Sequence, residues 1–193
     1  MTRIGVTGLI AVALLAGLTV RTAFADEYSD TVALFMSSGQ SKAYFDGCYG
    51  YAVFPTIGKA GLVVGGAHGK GRVYEQGVYV GDSSMTQLSV GFQAGGQAYS
   101  QIVFFQDVRA LGEFTSGTYE FGADIGAVAI TAAASAHAGS TGTAAGASGG
   151  KKDAATAGKY RKGVAVFTIA KGGAMYEASL AGQKFSFKPI PAK

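Results

Sequence analysis

Two textures of hydrophobic and polar residues follow one another along this chain, and the change falls near residue 48. Residues 27–46 (EYSDTVALFMSSGQSKAYFD) set Val32, Phe35 and Met36 at helical spacing behind Ser29 or Asp30 as a capping residue, which predicts an N-terminal helical segment. Gly39 weakens its middle, so one broken helix or two short ones fit equally, and Gly47 ends it. From Tyr49 onward, β-branched and aromatic residues punctuated by glycine predict strands. The first is 51–54 (YAVF), stopped by Pro55. Two more, 60–67 and 71–80, are joined by a turn around His68, Gly69 and Lys70. In 86–94, Thr86, Leu88 and Val90 face one way while Gln87, Ser89 and Gly91 face the other. Gly95 and Gly96 then predict a hairpin into 97–105. That strand ends in an unbroken apolar run, Ile102 to Phe105, which predicts burial on both faces.

Residues 107–114 (DVRALGEF) predict a short internal helix with Asp107 as its cap. Strand texture returns at 118–131, 163–170 and 174–180, the last two joined by a hairpin at Lys171, Gly172 and Gly173. Phe185 and Phe187 alternate around Ser186 in a final edge strand ended by Pro189. Residues 132–158 are mostly Ala, Gly, Ser and Thr and carry too little apolar surface to fix one conformation, so a long flexible surface loop is expected there. Glycines recurring within strands mark bulges, sharp curvature or close backbone approach. The expected fold class is α+β, mainly β: a strongly curved antiparallel sheet or barrel-like closure, with an N-terminal helical segment and one short internal helix.

The first 25 residues change where this domain is expected to work. Arg3, the short apolar run from Ile10 to Leu18, and the small residues Ala23 and Ala25 follow the order of a cleavable secretory signal. The run is shorter than the roughly 20 residues needed to span a bilayer, and Arg21 interrupts its end. A periplasmic or secreted protein is expected, peripheral to a membrane at most. Residues 26–193 then form a single domain of ordinary size. No Cys follows the apolar run to accept a lipid. The lone Cys48 cannot close an internal disulfide and reads as a small buried hydrophobe.

Charge is uneven along the chain. Residues 26–150 hold five basic and ten acidic side chains, whereas 151–193 hold nine basic and two acidic. That balance argues against a nucleic-acid binder driven by global charge and leaves an anionic surface as a partner for the basic end. Evidence for catalysis is thin. His68 and His137 are the only histidines, with no metal-ligand spacing around them. Gly146 to Gly150 departs from the nucleophile-elbow pattern, and the glycines around His68 follow neither phosphate-loop order. The expectation is a protein that is not an enzyme and needs no metal or cofactor.

Several ordered blocks resemble the SYLF domain. Residues 51–55 (YAVFP), 59–61 (KAG), Gly65 with Gly66, and 69–71 (GKG) resemble its opening. Residues 89–97 (SVGFQAGGQ) followed by 101–105 (QIVFF) are similar to its central part, and 163–167 (GVAVF) with 171–180 to its closing segment. The resemblance covers about residues 29–183. It implies a phospholipid-binding domain, tied in eukaryotic members to phosphoinositide membranes and actin; an exported protein would not meet actin, so the membrane surface is the activity that carries over. Candidate lipid-binding residues are Lys59, Lys70 and Arg72 around the glycine blocks, and Lys159, Arg161 and Lys162 with Tyr160 interleaved. The expected function is docking on an anionic phospholipid or membrane surface. The alternative is a cell-envelope protein-interaction or scaffold domain with an envelope protein as partner.

Overall fold

The computed structural model describes residues 26–61, 64–90, 97–122, 124–130, 159–171, 180 and 182–191. Two short helices open it, α1 (Glu27–Ser37) and α2 (Lys42–Gly47), divided at Gly39. Three long strands follow: β1 (Gly50–Gly61), β2 (Val64–Glu75) and β3 (Val78–Val90). Next come β4 (Gln97–Phe105), α3 (Val108–Thr115), β5 (Thr118–Glu120), β6 (Ala127–Ile130), β7 (Val164–Lys171) and β8 (Gln183–Pro189). The Asp107 side chain accepts a hydrogen bond from the Ala110 amide at 2.8 Å, the cap expected of it. The fold is mainly β with three helices among the described residues, the class expected from the sequence.

Among the described residues all eight strands belong to one sheet, in the order β5-β8-β3-β2-β1-β4-β7-β6, antiparallel except for the parallel pair β6–β7. The segment order 4-1-2-3 within it is that of a Greek key. Several local expectations are corrected by this topology. Pro55 does not stop the first strand; β1 runs through it, and the register shifts between Val53 and Thr56 as the ladder steps around the residue without an N–H. His68, Gly69 and Lys70 lie inside β2 and form no turn. The turn is at Gln76 and Gly77, which take φ of 49° and 81°, the left-handed pair that a tight hairpin requires. β3 and β4 are not hairpin partners, since β2 and β1 lie between them. The expected strand 118–131 is split into β5 and β6, on opposite edges of the sheet, and β8 lies inside the edge strand β5. The tips at Gly95 and Gly96, the 174–180 strand up to residue 179 and the 132–158 loop lie outside the described residues.

Side chains show how strongly the sheet curls. In a flat sheet β1 and β8 would stand three strand spacings apart, about 14 Å. Instead the rings of Phe54 on β1 and Phe185 on β8 have centroids 5.6 Å apart. β4 and β8 would be separated by four spacings, about 19 Å, yet Gln101 Nε2 donates to Gln183 Oε1 at 3.0 Å across the concavity. Gln183 Nε2 in turn donates to Tyr99 Oη at 3.0 Å, and all three side chains are buried. The concave core also takes Ala110, Leu111 and Phe114 from α3, with Phe114 packed between Phe105 and Phe185. Gly71 lets this happen: a Cβ there would meet the Phe54 ring at 2.5 Å.

A second core lies on the convex side, under α1 and α2. Phe35, Tyr44 and Phe45 cover Val53, Ile102, Phe104, Phe167 and Ile169. The run Ile102 to Phe105 is therefore buried on both faces, as its composition predicts: Ile102 and Phe104 belong to the convex core, Val103 and Phe105 to the concave one. Tyr51 stacks on Tyr74 at the edge of the convex core, with ring centroids 4.9 Å apart.

Gln183 serves both Gln101 and Tyr99, whereas Gln101 serves only Gln183 among the bonds described. Replacing Gln183 with Leu should therefore cost about 2–4 kcal/mol in a denaturant titration, and Gln101→Leu about 1–2, because an orphaned buried polar group is what makes such losses large. Equal losses would mean that the cluster is not organised around Gln183. Burial pushes the Tyr51 hydroxyl up to about 12 from 10.0. The folded state favours its neutral form, so this contribution is complete below pH 10 and is withdrawn as pH rises towards 12. Thermal melts across that window, read beside the phenolate absorbance, should show stability falling as tyrosines ionise.

Candidate functional site

The convex face is only half covered. Opposite residues of neighbouring strands share a face, so its composition follows from the register. Beneath the helices lie Ile102, Val53 and Phe104; away from them, two transverse rows stay open. One row runs Lys171, Ala98, Gly58, His68, Thr86, Lys184 and Glu120 from β7 to β5. The next runs Thr56, Lys70, Ser84, Ser186 and Thr118, with Asp82 and Lys188 beyond. Lys70, Lys171, Lys184 and Lys188 are all exposed, facing two exposed carboxylates, Asp82 and Glu120. Leu88 continues the outward parity of β3 past Thr86 and is 84% exposed.

The partners of these charges are loose. Lys171 Nζ donates to Thr56 Oγ1 at 2.7 Å, and Lys184 stands 3.6 Å from Glu120 with both groups more than half exposed. Lys70 and Lys188 make no ion pair among the described residues. Asp82 accepts from the Tyr79 hydroxyl at 2.8 Å. The hydroxyls of Ser84 and Ser186 are 2.7 Å apart, and with Thr86, Thr118, Lys184 and Glu120 they line a shallow groove of about 550 Å³ over β3, β8 and β5. The face thus offers ammonium groups and hydroxyl donors on a rigid sheet with an exposed leucine at its end, which suits phosphate-bearing surfaces.

The residues expected from the sequence do not gather in one place. Lys70 is on the open convex face. Lys59 lies opposite Ala67, a concave-core residue, and so has the other parity, because the irregularity at Pro55 flips the second half of β1. Arg72 shares the face of Lys70 but is committed to the fold. It pairs with Asp26, and its guanidinium lies 4.1 Å above the Tyr28 ring and 5.4 Å from that of Tyr79. Burial works against its charge, and hydrogen bonds with Tyr74 and Asp26 outweigh it, holding the group above its ordinary value.

Lys159, Arg161 and Lys162 lead into β7, at the end of the sheet where Gln106 bonds Gly163. Lys162 pairs with Asp124 at 3.0 Å, and that hydrogen bond holds the Asp124 carboxyl below its usual range. Lys159 and Tyr160 line a cleft of about 630 Å³ with Ala43, Tyr44, Gly47 and Gln106. Burial raises the Cys48 thiol, which keeps it protonated and unreactive in this half-buried position. Sequence reasoning missed Lys171, Lys184 and Lys188 and the four hydroxyls of the groove. Period-2 reading of β8 was the available signal, since it sets Lys184, Ser186 and Lys188 on one face against Gln183, Phe185 and Phe187.

No protein-family profile matches the chain. It is similar to beta cell expansion factor A of Aeromonas veronii, 26% identical over 156 residues, which cover 80% of this chain and 51% of that protein. The chain therefore spans about half the length of this relative.

Arg72 ties the start of α1 to β2, so Arg72→Gln should lower stability by about 1 kcal/mol, the scale of a partly exposed ion pair with a cation–π contact. Amide exchange in α1 should speed up while exchange in β7 stays unchanged. Uniform acceleration across both would show that Arg72 has no specific role in seating the helix.

Proposed function

We propose that this domain is an exported, non-enzymatic lipid-binding module that docks the open half of its convex sheet face on an anionic membrane surface. The observation that carries this reading is the asymmetry of that face. Half is roofed by α1 and α2, and the other half presents Lys70, Lys171, Lys184 and Lys188 beside a field of Ser and Thr hydroxyls. Each ammonium near an anionic surface contributes roughly 1 kcal/mol, so a few acting together suffice for reversible, salt-sensitive binding. Leu88, exposed on the same face, adds an apolar contact at the boundary. The resemblance to SYLF domains supports the same ligand class, and the SYLF assignment is part of this proposal.

The rigid sheet lets the lysines act as a set, because strand register fixes their spacing before any lipid is met. Arg72 is excluded from the set by its bond to Asp26, and Lys59 by its concave parity. Lys159, Arg161 and Lys162 lie beside β7 and α2, where Asp124 engages one of the three.

Vesicle sedimentation separates the two basic regions. Lys70→Gln, Lys171→Gln and Lys188→Gln combined should lower partitioning of the purified protein onto phosphatidylglycerol vesicles by at least about tenfold. Neutralising Lys159, Arg161 and Lys162 together should change it less than about twofold. The reverse pattern would move the docking surface to the β7 entrance, and equal binding to neutral and anionic vesicles would end the proposal.

A further inference from the structure

The groove over β3, β8 and β5 has a pattern that a purely anionic ligand does not explain. Its six polar side chains form a grid of two rows on three adjacent strands. Ser84, Ser186 and Thr118 make one row, and Thr86, Lys184 and Glu120 the other. Five of the six can donate hydrogen bonds; the sixth, Glu120, carries a negative charge at the outer edge. A phosphate seated over the hydroxyls and Lys184 would meet repulsion from Glu120 if it bore nothing else. A ligand with a cation next to its phosphate would not.

The geometry points to a zwitterionic headgroup of the phosphoethanolamine type in this groove. This rests on the membrane-docking reading above and names a headgroup for one part of the same face. The phosphate sits above Ser84, Ser186 and Lys184, which line the groove together and offer it two hydroxyls 2.7 Å apart and an ammonium. The ligand's primary ammonium sits at Glu120, one strand spacing away, about 4.8 Å, which is a span that a two-carbon linker covers. The 3.6 Å between Lys184 and Glu120 is longer than a hydrogen bond, so both charges keep bonding capacity for a ligand. A quaternary ammonium has no N–H to donate to Glu120. Tyr119 and Phe185, the aromatic residues lining this groove, belong by register to the concave side and pack on Phe114 and Phe121, so they do not cage such a cation on the outer face. The site therefore selects ethanolamine over choline headgroups.

Sedimentation with three vesicle sets of matched acyl chains tests this: phosphatidylcholine alone, phosphatidylcholine with phosphatidylethanolamine, and phosphatidylcholine with phosphatidylglycerol. Adding phosphatidylethanolamine should raise binding about fivefold over phosphatidylcholine alone. Glu120→Gln should abolish that gain while leaving the phosphatidylglycerol gain intact or larger, since it removes one carboxylate from the face. Ser84→Ala with Ser186→Ala should reduce the ethanolamine gain as well. No gain with phosphatidylethanolamine, or a gain that survives Glu120→Gln, overturns the headgroup site. Loss of phosphatidylglycerol binding in the unmutated protein overturns the docking surface itself, so the two failures are distinguishable. Glu120 is exposed on a three-residue edge strand, and circular dichroism of each variant verifies that its fold is kept.

Discussion

The bond between Gln101 and Gln183 spans a gap that backbone pairing leaves open. β5 and β6 form the two edges of the sheet, and no ladder joins them among the described residues. Closure comes from side chains on the concave face: two amides, the Tyr99 hydroxyl, and the ring contacts of Phe54 and Phe114 with Phe185. The apolar alternation already opposes a slip, since moving a strand by one residue turns its whole core set outward. The amides add to that constraint, because the same slip would turn one of the two outward and leave the other buried without its partner. The glycines at 69 and 71 belong to this same constraint, since the backbone of β2 lies against Ile57 and Phe54 with no room for a Cβ.

Once the curl is fixed, the convex face becomes wide relative to the helices available to roof it. α1 and α2 together cover only the end of β1, β4 and β7 where Phe104 and Phe167 project outward. Beyond that roof the outward positions switch from aromatic to Lys, Ser and Thr, and the change occurs within single strands. On β1 it separates Tyr51 and Val53 from Thr56, and on β2 it separates Tyr74 from Lys70. Arg72 stands on the boundary and is drawn to the roofed side by Asp26 and Tyr28. A sheet that needed solubility alone could balance the signs of its charges there; among the described residues this one sets four lysines against two carboxylates.

Much of the architecture was legible because it depends on local chemistry. The division of the first helical segment at Gly39, the Asp107 cap and the two-sided burial of Ile102 to Phe105 follow from residue type and spacing alone. The departures from the sequence pattern share a different cause. Pro55 carries the signal of a strand end because a proline breaks a central ladder, but a register shift absorbs it. Gly69 carries the signal of a turn because glycine permits one, whereas here it permits close packing against Ile57. Glycine has two uses, and only tertiary contact decides between them. The candidate site was half legible for the same reason. Lys70 lies beside a glycine block, but strand pairing alone groups it with Lys171, Lys184 and Lys188, which follow it by 101 to 118 residues of chain, and no local motif can express that.

This origin in register also separates the charges that hold the domain's connections from those of the open face. Arg72, Arg109 and Lys162 each have a carboxylate within 3.0 Å, and each of those carboxylates belongs to a helix or a connection and not to a strand: Asp26 before α1, Glu113 on α3, and Asp124 before β6. Their charge is spent on holding connections in place. The lysines of the open face all stand at paired positions of the sheet, Lys70 within β2, Lys184 and Lys188 near the two ends of β8 and Lys171 at the end of β7, where the ladder already fixes the backbone without an ion pair. Removing them should therefore leave the sheet as it is, and a stable sheet does not by itself explain why they are there. On the reading proposed above, a cationic surface of fixed spacing, rich in hydroxyl donors, would gain free energy when a phosphate layer replaces water over it, and that gain would give these positions a physical reason to be lysine.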